Sequence, residues 1–143
     1  MALVADSGGS TRGKILLATV EGDLHDLGKN VVGTVLRSHG FSVTDLGRDV
    51  PTAAVVDEAR RGGYQIVGLS ALMTSTMVAM ATTTAELRRT LPGTLVIVGG
   101  ASVNDEFARS IGADGYAPDA VSSVRLVDSL LARGSRNNNK ERD

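Results

Sequence analysis

His25 is one of two histidines in 143 residues, and it stands in an acidic, glycine-rich string, Glu21-Gly22-Asp23-Leu24-His25-Asp26-Leu27-Gly28. Asp23 lies two residues earlier, close enough for its carboxylate to accept an imidazole N–H. Such a contact fixes the tautomer and raises the basicity of the other ring nitrogen, the usual support behind a metal-bound histidine. A hydroxyl from a distant loop, with Thr76 the candidate, could hold Asp23 in turn. A single nitrogen ligand is too few for free zinc, whose protein sites use three or four. It suffices for a metal that arrives inside a macrocycle. Structural readings stand beside this one. A loop histidine between aspartates also serves as a capped surface residue. Asp23 and Asp26 near a helix start complement its dipole, and Ser70 and Thr76 cap helices.

The elements that must position these residues are short. Thirteen residues with no period, including Ser7-Gly8-Gly9-Ser10, read as a linker over residues 1–13. Strands are expected at Lys14–Val20, Phe41–Leu46, Gln65–Leu69, Leu95–Val98 and Gly115–Tyr116, where β-branched runs end at glycine or polar residues. Helices alternate with them at Leu27–Ser38, Thr52–Arg61, Met77–Leu91, Asp105–Ile111 and Ala120–Leu131. Leu27, Val31 and Val35 share one face of the first. Pro51 and Gly62-Gly63 bracket the second. Residues 14–132 thus form one domain, and 133–143, with three asparagines among charges, are expected as a disordered tail. Alternation of this kind predicts an α/β fold: a Rossmann-like, flavodoxin-like five-stranded parallel sheet with helices on both faces. Ligands of such sheets bind beyond the carboxyl ends of the strands. The unusual strings fall there: Gly22–Gly28, Ser70–Thr76, Gly99-Gly100, and Tyr116-Ala117-Pro118-Asp119.

Composition narrows the chemistry. The chain has 15 basic and 16 acidic side chains, so no basic surplus points to nucleic acid. Cysteine is absent, which removes disulfides, thiol catalysis and thiolate metal sites. No serine sits at a nucleophile elbow, and neither GxGxxG nor GxxxxGK[ST] follows the first strand. No apolar run is long enough to cross a bilayer, and no leader is evident, so the expected location is the cytoplasm.

In combination the motifs resemble the cobalamin-binding domain family. Asp23-x-His25-x-x-Gly28, Ser70-x-Leu72 and Gly99-Gly100 occur in that family's order and spacing. Gly22–Asn30, Ser70–Thr74 and Gly112–Ala120 are similar to the corrinoid proteins of methanol and methylamine methyltransferase systems and to the B12 module of methionine synthase. The resemblance spans about Gly13 to Leu131. It implies that His25 replaces the cofactor's own base beneath the cobalt, with Asp23 and Thr76 behind it; threonine stands where the methionine synthase module has serine. It places Ser70 and Thr74 as hydroxyls beside the displaced nucleotide tail, Leu72 as an apolar wall, and Gly28, Gly99 and Gly100 as empty space. Gly22, Leu24, Asp26, Tyr116 and Ala117 complete the implied cofactor contacts.

The same resemblance implies a methyl carrier that is not catalytic alone. Its partners would be a substrate-specific methyltransferase and an acceptor methyltransferase, with a separate helical cap over the other cofactor face. No thiol is available to activate a methyl donor, and His39, before Gly40 at a helix end, reads as structural. Two alternatives remain open: the cobalamin-binding subunit of an adenosylcobalamin-dependent mutase, and a non-enzymatic B12 carrier or sensor module.

Overall fold

The computed structural model describes residues 11–142, with side chains described as far as Arg133. Five parallel strands, β1 (Lys14–Thr19), β2 (Ser42–Asp45), β3 (Ile66–Ser70), β4 (Leu95–Gly99) and β5 (Gly115–Tyr116), pair in the order β2-β1-β3-β4-β5. The helices are α1 (Leu27–Ser38), α2 (Thr52–Gly62), α3 (Met77–Thr90), α4 (Asp105–Ser110) and α5 (Ala120–Arg142). This is the flavodoxin-like order, and strand order reverses between β1 and β3, where a crevice opens.

Side-chain alternation along the strands builds two cores. Leu16, Ala18 and Val20 of the first strand region, with Val67, Leu69, Val96 and Val98, pack under Val55 and Val56 of α2 and Met80 and Leu87 of α3. Ile15, Leu17, Ile66 and Ile97 face the other way, against Leu36 of α1 and Val124, Val127 and Leu130 of α5. That second face thins toward the carboxyl ends. Its successive residues are Ile66, Gly68 and Ser70 in β3, and Ile97 and Gly99 in β4. Small residues there leave a slot between the sheet and the α1–α5 layer.

At three places the described residues add to the sequence pattern. The apolar stripe of α1 is split: Leu27 is 78% exposed and Val31 47% exposed, Val35 packs against the second core, and Lys29, Gly33 and Leu36 are buried. Gly33 lets the helix approach the sheet, since a Cβ there would stand 3.3 Å from Leu17 Cδ1. The closing helix does not stop at Leu131 but continues as helical backbone to Arg142, across most of the expected tail. No proline interrupts it, and a formed helix propagates through ordinary polar residues at small cost per residue. Of the expected linker, residues 1–10 lie outside the described residues, and Thr11–Gly13 are pinned. Arg12 N–H donates to Gly40 O at 3.1 Å, and the Arg12 guanidinium pairs with Asp128 and lies 4.5 Å from the Phe41 ring centroid.

Candidate functional site

The loop after β1 turns sharply at Gly22, whose φ of 88° lies in the left-handed region. The turn drives Asp23 under the rim, where its side chain has no solvent exposure. Five donors converge on that carboxylate. Oδ1 accepts from the His25 backbone N–H at 3.0 Å and from His25 Nδ1 at 2.8 Å. Oδ2 accepts from Thr76 Oγ1 at 2.6 Å, Leu72 N–H at 2.7 Å and Met73 N–H at 3.3 Å. Burial alone would raise the pKa of Asp23. The bonds from Thr76, from the backbones of His25 and Leu72 and from the His25 ring outweigh it and hold the carboxyl well below the usual carboxylate range. An ionised carboxylate only accepts, so Nδ1 carries the proton. In the neutral imidazole the lone pair therefore belongs to Nε2, on a side chain that is half exposed.

His25 stands at the mouth of a groove of about 1080 Å³ between the β1–β3–β4 ends and the α1–α5 layer. Gly68, Ser70 and Gly99 form its floor, Leu24, Leu27 and Val31 one wall, and Ala117 and the buried Ser123 the other. Ser70 Oγ lies 2.8 Å from Thr19 Oγ1, which fixes the hydroxyl at the floor. Leu24, Leu27, Val31 and Leu72 are large, apolar and exposed together around one cavity, a pattern that marks a binding surface. Among the described residues no group of three or more His, Cys, Asp or Glu side chains could hold a free metal ion. One supported imidazole over an apolar groove therefore fits a metal delivered inside a large cofactor, and does not fit a bare ion.

Of the residues named from sequence, Leu24, His25, Asp26, Gly28, Ser70, Leu72, Gly99, Gly100, Tyr116 and Ala117 line the groove. Asp23 and Thr76 sit behind His25, and Gly22 forms the turn before it. Thr74 begins the short 3-10 turn Thr74–Thr76 and is exposed outside the groove lining. Tyr116 borders the groove while packing against the α2–α3 core. The double glycine has an internal cause as well. A Cβ on Gly100, at φ 127°, would lie 1.9 Å from Ala71 O, and one on Gly99 would lie 2.9 Å from Ala117 O. Of the glycines that line the groove, Gly28 opens onto free space, with nothing within 4 Å of its Cβ position. Sequence reasoning missed Gly68 and Ser123, and placed Leu27 and Val31 on one helix face without saying that this face lines the groove. A glycine inside a β-branched strand was the available signal for Gly68.

A flavodoxin-like sheet that presents one buttressed imidazole over a nucleotide-sized groove defines a domain for a large, metal-bearing cofactor. The chain belongs to the B12 binding domain family, whose sequence profile matches residues 13–125, and it is a corrinoid-binding domain. It is 41% identical over 128 residues to dimethylamine corrinoid protein 1 of Methanosarcina acetivorans, a match covering 88% of this chain and 60% of that protein. A solved cobalamin-binding protein from Desulfitobacterium hafniense is 40% identical, with a TM-score of 0.79 over 82% of this chain and 58% of that one. A chain of the methanol:cobalamin methyltransferase complex from Methanosarcina barkeri is 33% identical, with a TM-score of 0.81 over 86% of this chain and 48% of that one. The chain thus spans about three fifths or less of the length of these relatives. No helix among the described residues is long and apolar enough to cross a membrane.

Proposed function

We propose that this domain binds a corrinoid with His25 Nε2 as the lower axial ligand of cobalt, and carries a methyl group between partner methyltransferases in the cytoplasm. The observation that carries the reading is the buried Asp23 carboxylate, which accepts from His25 Nδ1 at 2.8 Å and leaves the other nitrogen of a half-exposed ring over the groove. When bound, the corrinoid supplies a cobalt centre able to accept and release a methyl group.

The chain's own residues do the rest. Asp23 holds the proton of the pair at His25 Nδ1, and Thr76 with the Leu72 and Met73 amides keeps that carboxylate ionised and oriented. The groove takes the cofactor's nucleotide tail, with Leu27, Val31 and Leu24 covering its apolar part and Ser70 and Ser123 the polar groups within reach. Gly28 leaves the first turn of α1 open for its passage. Donor activation belongs to the partners, because this chain offers no thiol and no metal-ligand cluster among the described residues. The likeness to a dimethylamine corrinoid protein and to a chain of a methanol:cobalamin methyltransferase complex supports methyltransferases as those partners; a substrate-specific and an acceptor enzyme, with a separate helical cap, complete the proposal.

The test is the absorbance spectrum of the protein reconstituted with hydroxocobalamin, wild type against His25→Ala. A histidine-ligated spectrum that disappears in the variant while the cofactor stays bound is the expected result. Identical spectra would overturn the ligand assignment. Co-purification with an adenosyl upper ligand would instead favour the mutase reading.

A further inference from the structure

Asp49 is the one residue other than glycine with a positive φ, 54°, among the described residues. A left-handed backbone is unfavourable for any side chain and least so for Asp and Asn. Asp49 lies in the loop after β2, exposed, and begins no helix: α2 starts at Thr52 behind Pro51, with no side-chain capping bond. Both of its polar groups point instead at the turn that carries the histidine. Its backbone N–H donates to Asp23 O at 3.0 Å, and its Oδ1 accepts from Gly22 N–H at 2.7 Å. The two loops are otherwise zipped by Thr19 N–H to Gly47 O at 2.9 Å and Val50 N–H to Thr19 O at 3.0 Å, which places Asp49 at the open end.

From this geometry we infer that Asp49 is a positioning residue for the cobalt ligand. It clamps the Gly22–Asp23 backbone, which sets the depth of the Asp23 carboxylate and so the place of the His25 ring. The inference rests on His25 being that ligand. The left-handed conformation has a purpose on this account: it turns the N–H and carboxylate of one residue toward the Asp23 carbonyl and the Gly22 N–H, backbone groups of two consecutive residues.

The test uses the full chain and three variants. Asp49→Gly keeps the left-handed backbone and removes the carboxylate. Asp49→Asn tolerates the same φ and retains an accepting oxygen. His25→Ala is the unligated reference. In the protein without cofactor, Gly22 amide hydrogen exchange is expected to be about tenfold faster in Asp49→Gly and near wild type in Asp49→Asn, as loss of one charge-assisted bond implies. With hydroxocobalamin, the spectrum of Asp49→Gly should move toward that of His25→Ala, and Asp49→Asn should restore the wild-type spectrum. Thermal unfolding of each variant shows that the fold is intact. Wild-type exchange and spectrum in Asp49→Gly, or an Asp49→Asn variant that behaves as Asp49→Gly, would overturn the proposal. A His25→Ala spectrum equal to wild type would overturn the ligand reading itself, a result separable from the exchange measurement.

Discussion

Replacing Asp23 by asparagine exchanges one heavy atom and strikes the site at its most connected point. The carboxylate accepts five hydrogen bonds with no solvent exposure. An amide has one accepting end. If its oxygen keeps the three donors on the Thr76 side, its NH2 faces the His25 backbone N–H and the ring. The ring can respond only by moving its proton to Nε2, so that Nδ1 accepts. One buried N–H then remains unpaired, at a cost of about 1–3 kcal/mol, and three charge-assisted bonds become neutral ones, each weaker by about 0.5–1 kcal/mol. The sum is about 2.5–6 kcal/mol, a large share of a small domain's stability. Urea unfolding of the protein without cofactor, together with nitrogen NMR of the His25 ring, measures both consequences. The pH dependence carries a sign. Asp23 stays ionised in the folded chain below the pH at which the unfolded chain takes up its proton. Its stabilisation is complete above the unfolded carboxylate range, about pH 4, and is lost as pH falls toward the lower folded value. The gap between wild type and Asp23→Asn should therefore narrow on acidification. An asparagine variant within about 1 kcal/mol of wild type near neutral pH, with the Nε2 lone pair retained, would refute this reasoning.

Other perturbations separate folding from binding. Leu27→Asp and Val31→Asp should leave the stability of the protein without cofactor within about 0.5 kcal/mol, since both side chains are exposed, yet weaken cobalamin binding by about tenfold or more in equilibrium titration. Gly100→Ala should lose several kcal/mol, on the order of 3 or more, because its Cβ meets backbone at 1.9 Å, and thermal unfolding will show it. Gly28→Ala meets nothing and lies in a helix, so it should be neutral or stabilising by up to about 1 kcal/mol while cobalamin titration weakens. Lys29, with its side chain 2% exposed, pairs with Asp45 at 2.5 Å; Lys29→Met should cost about 2–4 kcal/mol in urea unfolding, and a second change, Asp45→Leu, should recover part of it.

The elements were legible because periodicity and punctuation agreed. The first helix runs over Leu27–Ser38 as its pattern predicts, and β2 and β4 end within two residues of Gly47 and Gly99-Gly100. The Asp23–His25–Thr76 arrangement was also legible, from a short loop spacing and one hydroxyl at the neighbouring strand end. What the pattern could not say was which neighbour an apolar stripe meets. Leu27 and Val31 repeat as core residues do, but the slot left by Gly68 and Gly99 puts a ligand groove, not the sheet, opposite them. Lys29 reads as a surface residue until Asp45 of an edge strand comes to lie beside it. Asp49 gave no signal, because its role comes from a strand order that brings two distant loops into register. Gly99-Gly100 was placed correctly at the rim, yet its closest constraint is the protein's own backbone.

The central claim concerns which nitrogen lies beneath the cobalt, and electron paramagnetic resonance of the Co(II) form reads that nitrogen directly. Protein grown on nitrogen-15 histidine and loaded with unlabelled cobalamin should convert each superhyperfine triplet into a doublet, and His25→Ala should lose the protein-derived splitting. Triplets that persist unchanged in the labelled protein would place the cofactor's own base on the metal and contradict the account.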